Sequence, residues 1–291
     1  MLSKFLDPKN DFAFKKIFGS EKNQDILIHF LNDVLFFTGK RPIVSVTFLP
    51  TIQDAETASK KTSIIDVLCK DEKGCSYIVE MQVAKSKGFE KRAQYYASKA
   101  YSTQAKKGDQ YQDLKEVIFL AIADYVMFPE KKTYKSDHVI LDRVTYEQDL
   151  KDFSFTFIEL PKFTIPLENL SSLEEKWCYF FKHADETSPK DLQELIRNHP
   201  ALGRAYEELD KAYWSDLELN SYEEAEKRAK DYISSLEQKF DEGMEKGKAE
   251  RKAEWKAEVV KKMIKKGFSL EDIVECTNLT AEEIKIIIDA S

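Results

Sequence analysis

Residues 62–82 read Thr62-Ser-Ile-Ile-Asp-Val-Leu-Cys-Lys-Asp-Glu-Lys-Gly-Cys-Ser-Tyr-Ile-Val-Glu-Met-Gln82. Two segments rich in Ile, Val, Tyr and Cys flank a short polar turn that contains a glycine, which is the pattern of a β-hairpin. A three-residue loop, Glu72-Lys73-Gly74, with Gly74 at positive φ, pairs Asp71 with Cys75. The sequence therefore predicts a hairpin whose register is set by this loop.

The predicted register brings two acidic side chains together. Counting outward from the loop sets Asp66 directly opposite Glu80, and strand alternation puts Gln82 on the face of Glu80. Facing carboxylates repel each other and lose hydration unless a proton or a cation lies between them. A hard divalent cation such as Mg²⁺ (or Mn²⁺ or Ca²⁺), with substrate phosphate completing its shell, is one explanation. The other is an exposed hairpin whose acids simply meet water.

The composition is that of a globular protein with many charged residues. The chain has 291 residues, 42% hydrophobic and 33% charged, which suits one large domain or one domain with an appendage. No apolar run approaches the roughly 20 residues of a membrane span, and the N-terminus has no secretory pattern, so we expect a cytoplasmic protein. The cysteines and histidines show no zinc-ligand spacing. They are Cys69, Cys75, Cys178, Cys276, His29, His138, His183 and His199.

The charge pattern limits how the chain can bind nucleic acid. A formal net charge of −7 argues against coating DNA through global charge, because such binding needs several lysines or arginines on phosphates. A basic segment directly after the hairpin supplies a local groove instead. Its members are Lys85, Lys87, Lys91, Arg92, Lys99, Lys106 and Lys107.

The segments before the hairpin predict two helices and a strand. Asp7 as N-cap and Pro8 in the first turn open a helix that Gly19 ends. A second helix carries its apolar stripe over residues 26–35 and stops near Gly39. Residues 43–49 are then a first strand.

After the hairpin, the sequence predicts a crossover and further strands. Residues 89–107 form a helix bounded by Gly108, and the unbroken apolar run 117–123 indicates a strand buried on both faces. A strand, a helix and a buried strand make a crossover unit. Residues 138–144 and 153–160 are two more strand candidates, which we expect to extend the sheet with antiparallel pairing.

The C-terminal part is predicted to be helical. We divide the chain into a sheet domain (1–165), a helical segment that packs on it (166–219), and a long charged helix with a two-helix tail (220–291). The long helix is expected to begin at Asn220 or Ser221 and to run to about Lys266. The tail permits a helix-turn-helix DNA reader, although its acidic last helix favours a packing or dimerisation role.

A four-residue repeat in the long helix aligns like charges. The columns are Lys248, Lys252, Lys256 and Glu250, Glu254, Glu258. Like charges four residues apart are mildly unfavourable within one helix. The columns therefore either face water or complement a second copy of the same helix.

Five motifs of residues 1–165 belong together with the predicted order of helix, strand, acid-bearing hairpin, helix and buried strand: Asp7-Pro-Lys-Asn-Asp-Phe-Ala-Phe-Lys-Lys-Ile-Phe-Gly19, Asp66-Val-Leu-Cys69, Val79-Glu-Met-Gln82, Lys91-Arg-Ala-Gln-Tyr-Tyr96 and Gly108-Asp-Gln-Tyr111. In this order and with these motifs, the chain resembles the PD-(D/E)xK nuclease superfamily, specifically its recombination-promoting nuclease and transposase branch. The resemblance implies an α/β, restriction-endonuclease-like αβββαβ core with extra antiparallel strands, followed by an all-α C-terminal region with a long charged helix.

The resemblance also implies divalent-metal-dependent cleavage of DNA. Asp66 and Glu80 would be the metal ligands, joined by the backbone carbonyl of Met81. The superfamily's lysine position is Gln82 here, and a glutamine can hold a water but carries no charge. The missing charge must come from a metal or from a neighbouring base. The candidate bases are Lys15, Lys85 and Arg92.

The roles of an acid on the first helix and of the tyrosines on the helix after the hairpin can each be interpreted in two ways. Asp11 is either an extra acid that some relatives supply from the first helix, or a first-turn residue favoured by the helix dipole. Tyr95 or Tyr96 could stack on a base while Arg92 holds a flanking phosphate. Simple packing of an aromatic helix face is the better explanation for these tyrosines and for Tyr101.

Two functions therefore stay open. The first is a Mg²⁺-dependent endodeoxyribonuclease that acts in DNA recombination or in defence against mobile elements and phage. The second is a catalytically decayed nuclease fold that serves as a dimeric DNA- or protein-interaction module. Gln82, the acidic net charge and the repetitive helix favour the second. In both cases we expect a homodimer or higher homo-oligomer, formed through coiled-coil contacts of the C-terminal helices.

Overall fold

A mixed six-stranded sheet is the centre of the fold. The structure is a computed structural model that describes residues 4–35, 42–53, 63–105 and 110–289. The strands are β1 (Val46–Phe48), β2 (Ile52–Gln53), β3 (Ser63–Ile64), β4 (Val67–Asp71), β5 (Ser76–Gln82), β6 (Val117–Ala123), β7 (Lys135–Val139) and β8 (Phe153–Glu159). The sheet order is β1-β4-β5-β6-β8-β7, and β2 pairs with β3 in a separate ribbon.

The α-helices of the described residues are α1 (Asp11–Phe18), α2 (Gln24–Val34), α3 (Phe89–Ser102), α4 (Leu173–His183), α5 (Pro189–Ile196), α6 (Pro200–Leu209), α7 (Asp216–Lys265), α8 (Leu270–Thr277) and α9 (Ala281–Asp289). Two of them, α1 and α2, pack on one face of the sheet, and α3 packs on the other. Alternate residues of β5 enter two cores: Val79 faces the core that contains α1 and α2, whereas Ile78 faces α3. Every residue of β6 is buried, as its unbroken apolar run predicts. This arrangement confirms the predicted α/β core with added strands and the helical C-terminal region.

The hairpin has the predicted register. β4 and β5 are antiparallel, with Val67 opposite Val79. The N–H of Asp71 donates to the carbonyl of Cys75 at 3.0 Å, and Gly74 has a φ of +85°. A side chain at Gly74 would be strained in this left-handed conformation. The loop therefore holds the two strands in the register on which the site depends.

The first helix begins later than predicted. Asn10, and not Asp7, is the N-cap of α1, because the Asn10 side chain accepts from the N–H groups of Phe12 and Ala13. The Asp7 carboxylate instead accepts from the N–H of Lys9. Both residues suit an N-cap, but only Asn10 lies directly before the apolar stripe.

The strands beyond β6 differ from the prediction in direction and length. β7 pairs antiparallel with β8, as predicted, but β8 runs parallel to β6, so the antiparallel expectation is wrong for the pairing of β8 with β6. The chain between β6 and β8 is long enough to return to the same end of the sheet, which parallel pairing requires. β7 also ends at Val139 rather than residue 144, because the Asp142 carboxylate accepts from the N–H groups of Val144 and Thr145 and closes a turn.

Other element ends differ from the predictions by several residues. β1 covers Val46–Phe48 within the predicted 43–49, and α3 ends at Ser102. The long helix α7 begins at Asp216, not at Asn220 or Ser221. Its start is capped by Ser215 and Glu218, since the N–H of Ser215 donates to the Glu218 carboxylate at 2.9 Å. Gly39, Lys106, Lys107 and Gly108 lie outside the described residues.

The chain divides into two compact units, Met1–Ala229 and Lys230–Ser291. In the first unit, α4 packs its aromatic face on α1 and α2, with Trp177 5.3 Å from Phe30 between ring centroids. The Asp33 carboxylate joins this packing, because it accepts from the indole of Trp177 at 2.8 Å and lies 2.9 Å from His199. The predicted three-part division of the chain stays a prediction.

The second unit has a small core of its own. Val260 of α7 packs with Ile273 of α8 and Ile284 of α9. Ser269 caps α8 in a capping box with Asp272, so this predicted helix start is confirmed. Among the described residues of the whole chain, no helix is both long and apolar enough to cross a membrane.

Candidate functional site

Asp66 and Glu80 meet where β4 begins. The N–H of Asp66 donates to Oε1 of Glu80 at 3.3 Å, and the N–H of Met81 donates to Oδ2 of Asp66 at 3.0 Å. Each carboxylate thus accepts a backbone hydrogen bond from the opposite strand. The structure therefore brings together the two acids that the hairpin register predicts to be opposed.

Glu80 is buried, Asp66 is partly buried, and the charges of the two carboxylates repel each other. Glu80 is only 3% exposed, and burial, followed by the charge of Asp66, raises its pKa to about 8. Burial also raises the pKa of Asp66, although Lys15 acts in the opposite direction. The alternative of an exposed hairpin whose acids meet water is wrong for Glu80. A cation between the two groups would remove both the desolvation cost and the repulsion.

Lys15 connects the first helix to the hairpin. Its Nζ lies 2.6 Å from Oδ1 of Asp11 and 3.3 Å from Oδ1 of Asp66. Asp11 is more than half exposed. The arrangement places Asp11 one side chain away from Asp66, so Asp11 is available as an additional acid from α1.

Gln82 lies between Glu80 and an arginine of α3. Its Nε2 donates to Oε2 of Glu80 at 3.0 Å, and Arg92 Nη2 donates to its Oε1 at 2.7 Å. The Arg92 guanidinium carbon also lies 4.8 Å from the centroid of the Phe89 ring. Among the described residues, Nε of Arg92 is buried without a hydrogen-bond partner. A positive charge is therefore held directly behind the residue at the superfamily's lysine position.

The other predicted residues have different surroundings. Tyr96 is half-buried and packs against the core between α3 and the sheet, and burial, followed by the charge of Glu80, raises its pKa. Lys85 is exposed on the segment after β5. Tyr101 donates to Asp152 at 2.5 Å and its ring lies 4.8 Å from Phe153, which confirms a packing role for this tyrosine.

Sequence reasoning missed a second charged group at the same end of the sheet. Asp124 directly follows β6, and its N–H donates to the carbonyl of Gln82 at 2.8 Å. Lys9 lies 3.4 Å from Asp124 and 3.7 Å from Asp7. The sequence contained a signal for Asp124, because a polar residue directly after a buried parallel strand lies at the carboxyl edge of the sheet. Ligands bind at this edge in α/β sheets.

The donor set fits a hard divalent cation. Backbone N–H and C=O groups of one strand residue point to the same neighbouring strand, so the Met81 carbonyl faces the edge where its N–H meets Asp66. Two carboxylates and one carbonyl are oxygen ligands of the kind that Mg²⁺ and Mn²⁺ prefer. Among the described residues, no group of three or more His, Cys, Asp or Glu side chains is placed to hold a metal. A cation here would therefore need water or substrate oxygens to complete its shell.

An acid-bearing hairpin in a mixed sheet, with a helix before it and a crossover helix after it, is the arrangement of the PD-(D/E)XK nuclease fold. A family model described as PD-(D/E)XK nuclease family transposase matches residues 8–239. The chain belongs to this family. Comparisons with curated proteins and with solved structures give no match.

The raised pKa of Glu80 predicts a pH dependence of stability in the metal-free protein. Folded Glu80 keeps its proton to about pH 8, whereas the unfolded chain releases it near the ordinary value of 4.5. The folded state therefore binds more protons in this range, so the contribution of Glu80 to the free energy of unfolding falls as the pH rises. Urea unfolding in EDTA between pH 5 and 8 should show a steeper fall for the wild type than for Glu80→Gln. Parallel curves for the two proteins would contradict the assignment.

Proposed function

We propose that the protein is a divalent-metal-dependent DNA endonuclease in which Asp66, Glu80 and the Met81 carbonyl hold Mg²⁺ or Mn²⁺. The observation that carries the proposal is the close pair of acids at the end of the hairpin, in which Glu80 is buried, Asp66 is partly buried and the two charges repel each other. A stable fold has no need of such a pair, and replacing it with uncharged residues would remove a desolvation cost. Retention of a costly arrangement is typical of a functional site.

The bound metal would supply charge stabilisation for the scissile phosphate and a lowered pKa for the attacking water. The residues of the chain supply the remaining functions. Lys15 offsets part of the charge on Asp66 and connects it to Asp11. Gln82 is held by Arg92 on one side and Glu80 on the other, which fixes its amide as a neutral hydrogen-bonding group at the reaction centre.

DNA binding is assigned to the basic segment after β5. Lys85, Lys87 and Lys91 are exposed there, within ten residues of Gln82. Phosphate contacts by such lysines position a duplex without reading its sequence. Because the net charge of the chain is −7, we expect binding to be local and strongly weakened by salt. A cytoplasmic role in DNA recombination or in defence against mobile elements and phage is part of the same proposal.

A metal titration combined with a cleavage assay tests this function. Calorimetry with Mn²⁺ and Mg²⁺ should show a saturable site, and supercoiled plasmid should be nicked in the presence of either metal but not in EDTA. The competing interpretation, a decayed nuclease fold that only binds partners, draws support from Gln82 in place of lysine. It predicts neither a saturable site nor cleavage. Cleavage that persists in EDTA would contradict both interpretations.

A further inference from the structure

The middle of α7 carries mostly apolar residues at a regular spacing of three, four and four residues. We call this stripe the α7 seam, and its members are Ile233, Leu236, Phe240, Met244, Gly247, Arg251 and Trp255. An eleven-residue repeat corresponds to about 3.67 residues per turn, so the seam keeps to one side of an α-helix over its whole length. Arg251 is its one charged member.

The α7 seam is exposed within its own unit from Phe240 to Trp255, and its first two members, Ile233 and Leu236, are half-buried. Phe240 is 68%, Met244 45% and Trp255 62% exposed, and a Cβ atom added at Gly247 would meet nothing within 4 Å. Farther along the same helix, Val260 is fully buried by Ile273 and Ile284. The helix is thus covered at its end but not along the seam from Phe240 to Trp255. A long helix with an exposed apolar stripe gains most of its stability from a partner that covers the stripe.

We propose that the α7 seam pairs with the α7 seam of a second copy of this chain, antiparallel and centred on Met244. In this register Met244 meets its own counterpart and Phe240 lies across from Gly247 of the second copy. Ile233 likewise lies across from Trp255. At these levels large residues face small ones or other apolar ones, which close packing favours.

The charges beside the seam complement each other in the same register. On a helix with this repeat, one flank of the seam carries acids first and lysines later, and its members are Glu237, Asp241, Lys248 and Lys252. Antiparallel pairing about Met244 brings Glu237 close to Lys252 of the second copy, and Asp241 close to Lys248. On the other flank, Lys239 comes close to Glu250. Opposite charges therefore meet on both flanks.

Parallel pairing is disfavoured by the seam itself. In a parallel, in-register pair each residue meets its own counterpart, so Arg251 would face Arg251 and Phe240 would face Phe240. Like charges facing each other at an interface are costly, and two glycines at position 247 would leave a gap. The antiparallel pair avoids both problems, because Arg251 lies across from Leu236 and can extend its guanidinium toward Glu237 of the second copy.

Sedimentation equilibrium of the full chain tests the pairing. The wild type should show a monomer–dimer equilibrium, and Phe240→Glu/Met244→Glu should weaken dimerisation by at least about a hundredfold, because it places two charges on the seam. Ala249→Glu/Ala253→Glu is the matched control, since it adds the same charges on the opposite, exposed face and should leave the equilibrium unchanged. A monomeric wild type, or equal effects of the two variants, would overturn the proposal.

Charge reversal tests the orientation. Glu237→Lys/Asp241→Lys should weaken the dimer, and adding Lys248→Glu/Lys252→Glu to the same chain should restore it, because the antiparallel pair joins these four residues. In a parallel pair the fourfold variant would instead meet like charges from the other flank and stay weak. Failure of the rescue would therefore overturn the antiparallel arrangement. Nuclease activity is not needed for either readout, so this inference stands apart from the proposed function.

Discussion

Glu80→Gln is expected to remove metal-dependent DNA cleavage while leaving the fold intact. The amide keeps the size and hydrogen-bonding ability of the carboxylate but cannot bind a cation through charge. We expect the cleavage rate to fall by at least about 10²-fold, the range found when one catalytic group is lost. In the metal-free protein the same change should preserve or raise the free energy of unfolding at pH 8, because it ends the repulsion between Glu80 and Asp66.

The companion variant Asp66→Asn should behave in the same way, and the double variant should lose little more than either single one, because the two groups act together on one metal. Plasmid nicking with Mg²⁺ and with Mn²⁺ measures the rates, and calorimetry measures loss of the metal site. Asp137→Asn is a suitable control, since Asp137 is a half-exposed acid on the edge strand β7. Wild-type cleavage by either site variant would remove the residue from the proposed site.

Arg92→Met is expected to lower cleavage at saturating DNA by about 10- to 100-fold, the usual effect of losing a group that supports a metal site from behind its ligands. Arg92 contacts Gln82 at 2.7 Å, and Gln82 contacts Glu80. Without the guanidinium, Gln82 loses the group that orients its amide, and the site loses its nearest positive charge on α3. Single-turnover rates at saturating DNA measure this effect separately from DNA binding.

Two further variants separate charge from general disruption. Lys91→Met removes an exposed neighbouring charge, so it should weaken DNA binding but spare the rate at saturation. Gln82→Lys placed in the Arg92→Met background restores a positive charge at the superfamily's lysine position, and we expect it to recover part of the lost rate. If Arg92→Met and Lys91→Met affected only DNA affinity, and to similar extents, Arg92 would be an ordinary phosphate contact.

Local patterns were sufficient to predict the acid-bearing hairpin. The side chains of a strand alternate with a period of two, and a three-residue loop with glycine at positive φ admits one register, so Asp66 was predicted opposite Glu80 before any tertiary contact was known. The buried strand β6 was predicted with its observed ends, because strands covered on both faces are apolar throughout. The tail helix after Ser269 was predicted from its capping box.

A local pattern cannot decide between two residues that fit it equally well. Asp7 and Asn10 both suit an N-cap, and the structure selects Asn10. Likewise, the sequence predicts β8 as a strand but does not specify its partner. Its parallel pairing with β6 depends on how a long connection returns across the sheet. Such choices are made by packing across the whole core and not by neighbouring residues.

The sequence by itself determined that two carboxylates face each other on a hairpin, since alternation and turn geometry act over a few residues. Only the tertiary structure decided what surrounds them. Burial of Glu80 makes the pair costly, Lys15 reaches Asp66 from α1, and Arg92 reaches Gln82 from α3. These contacts join helices and strands that local rules place independently, so the position of each charge depends on how the layers pack.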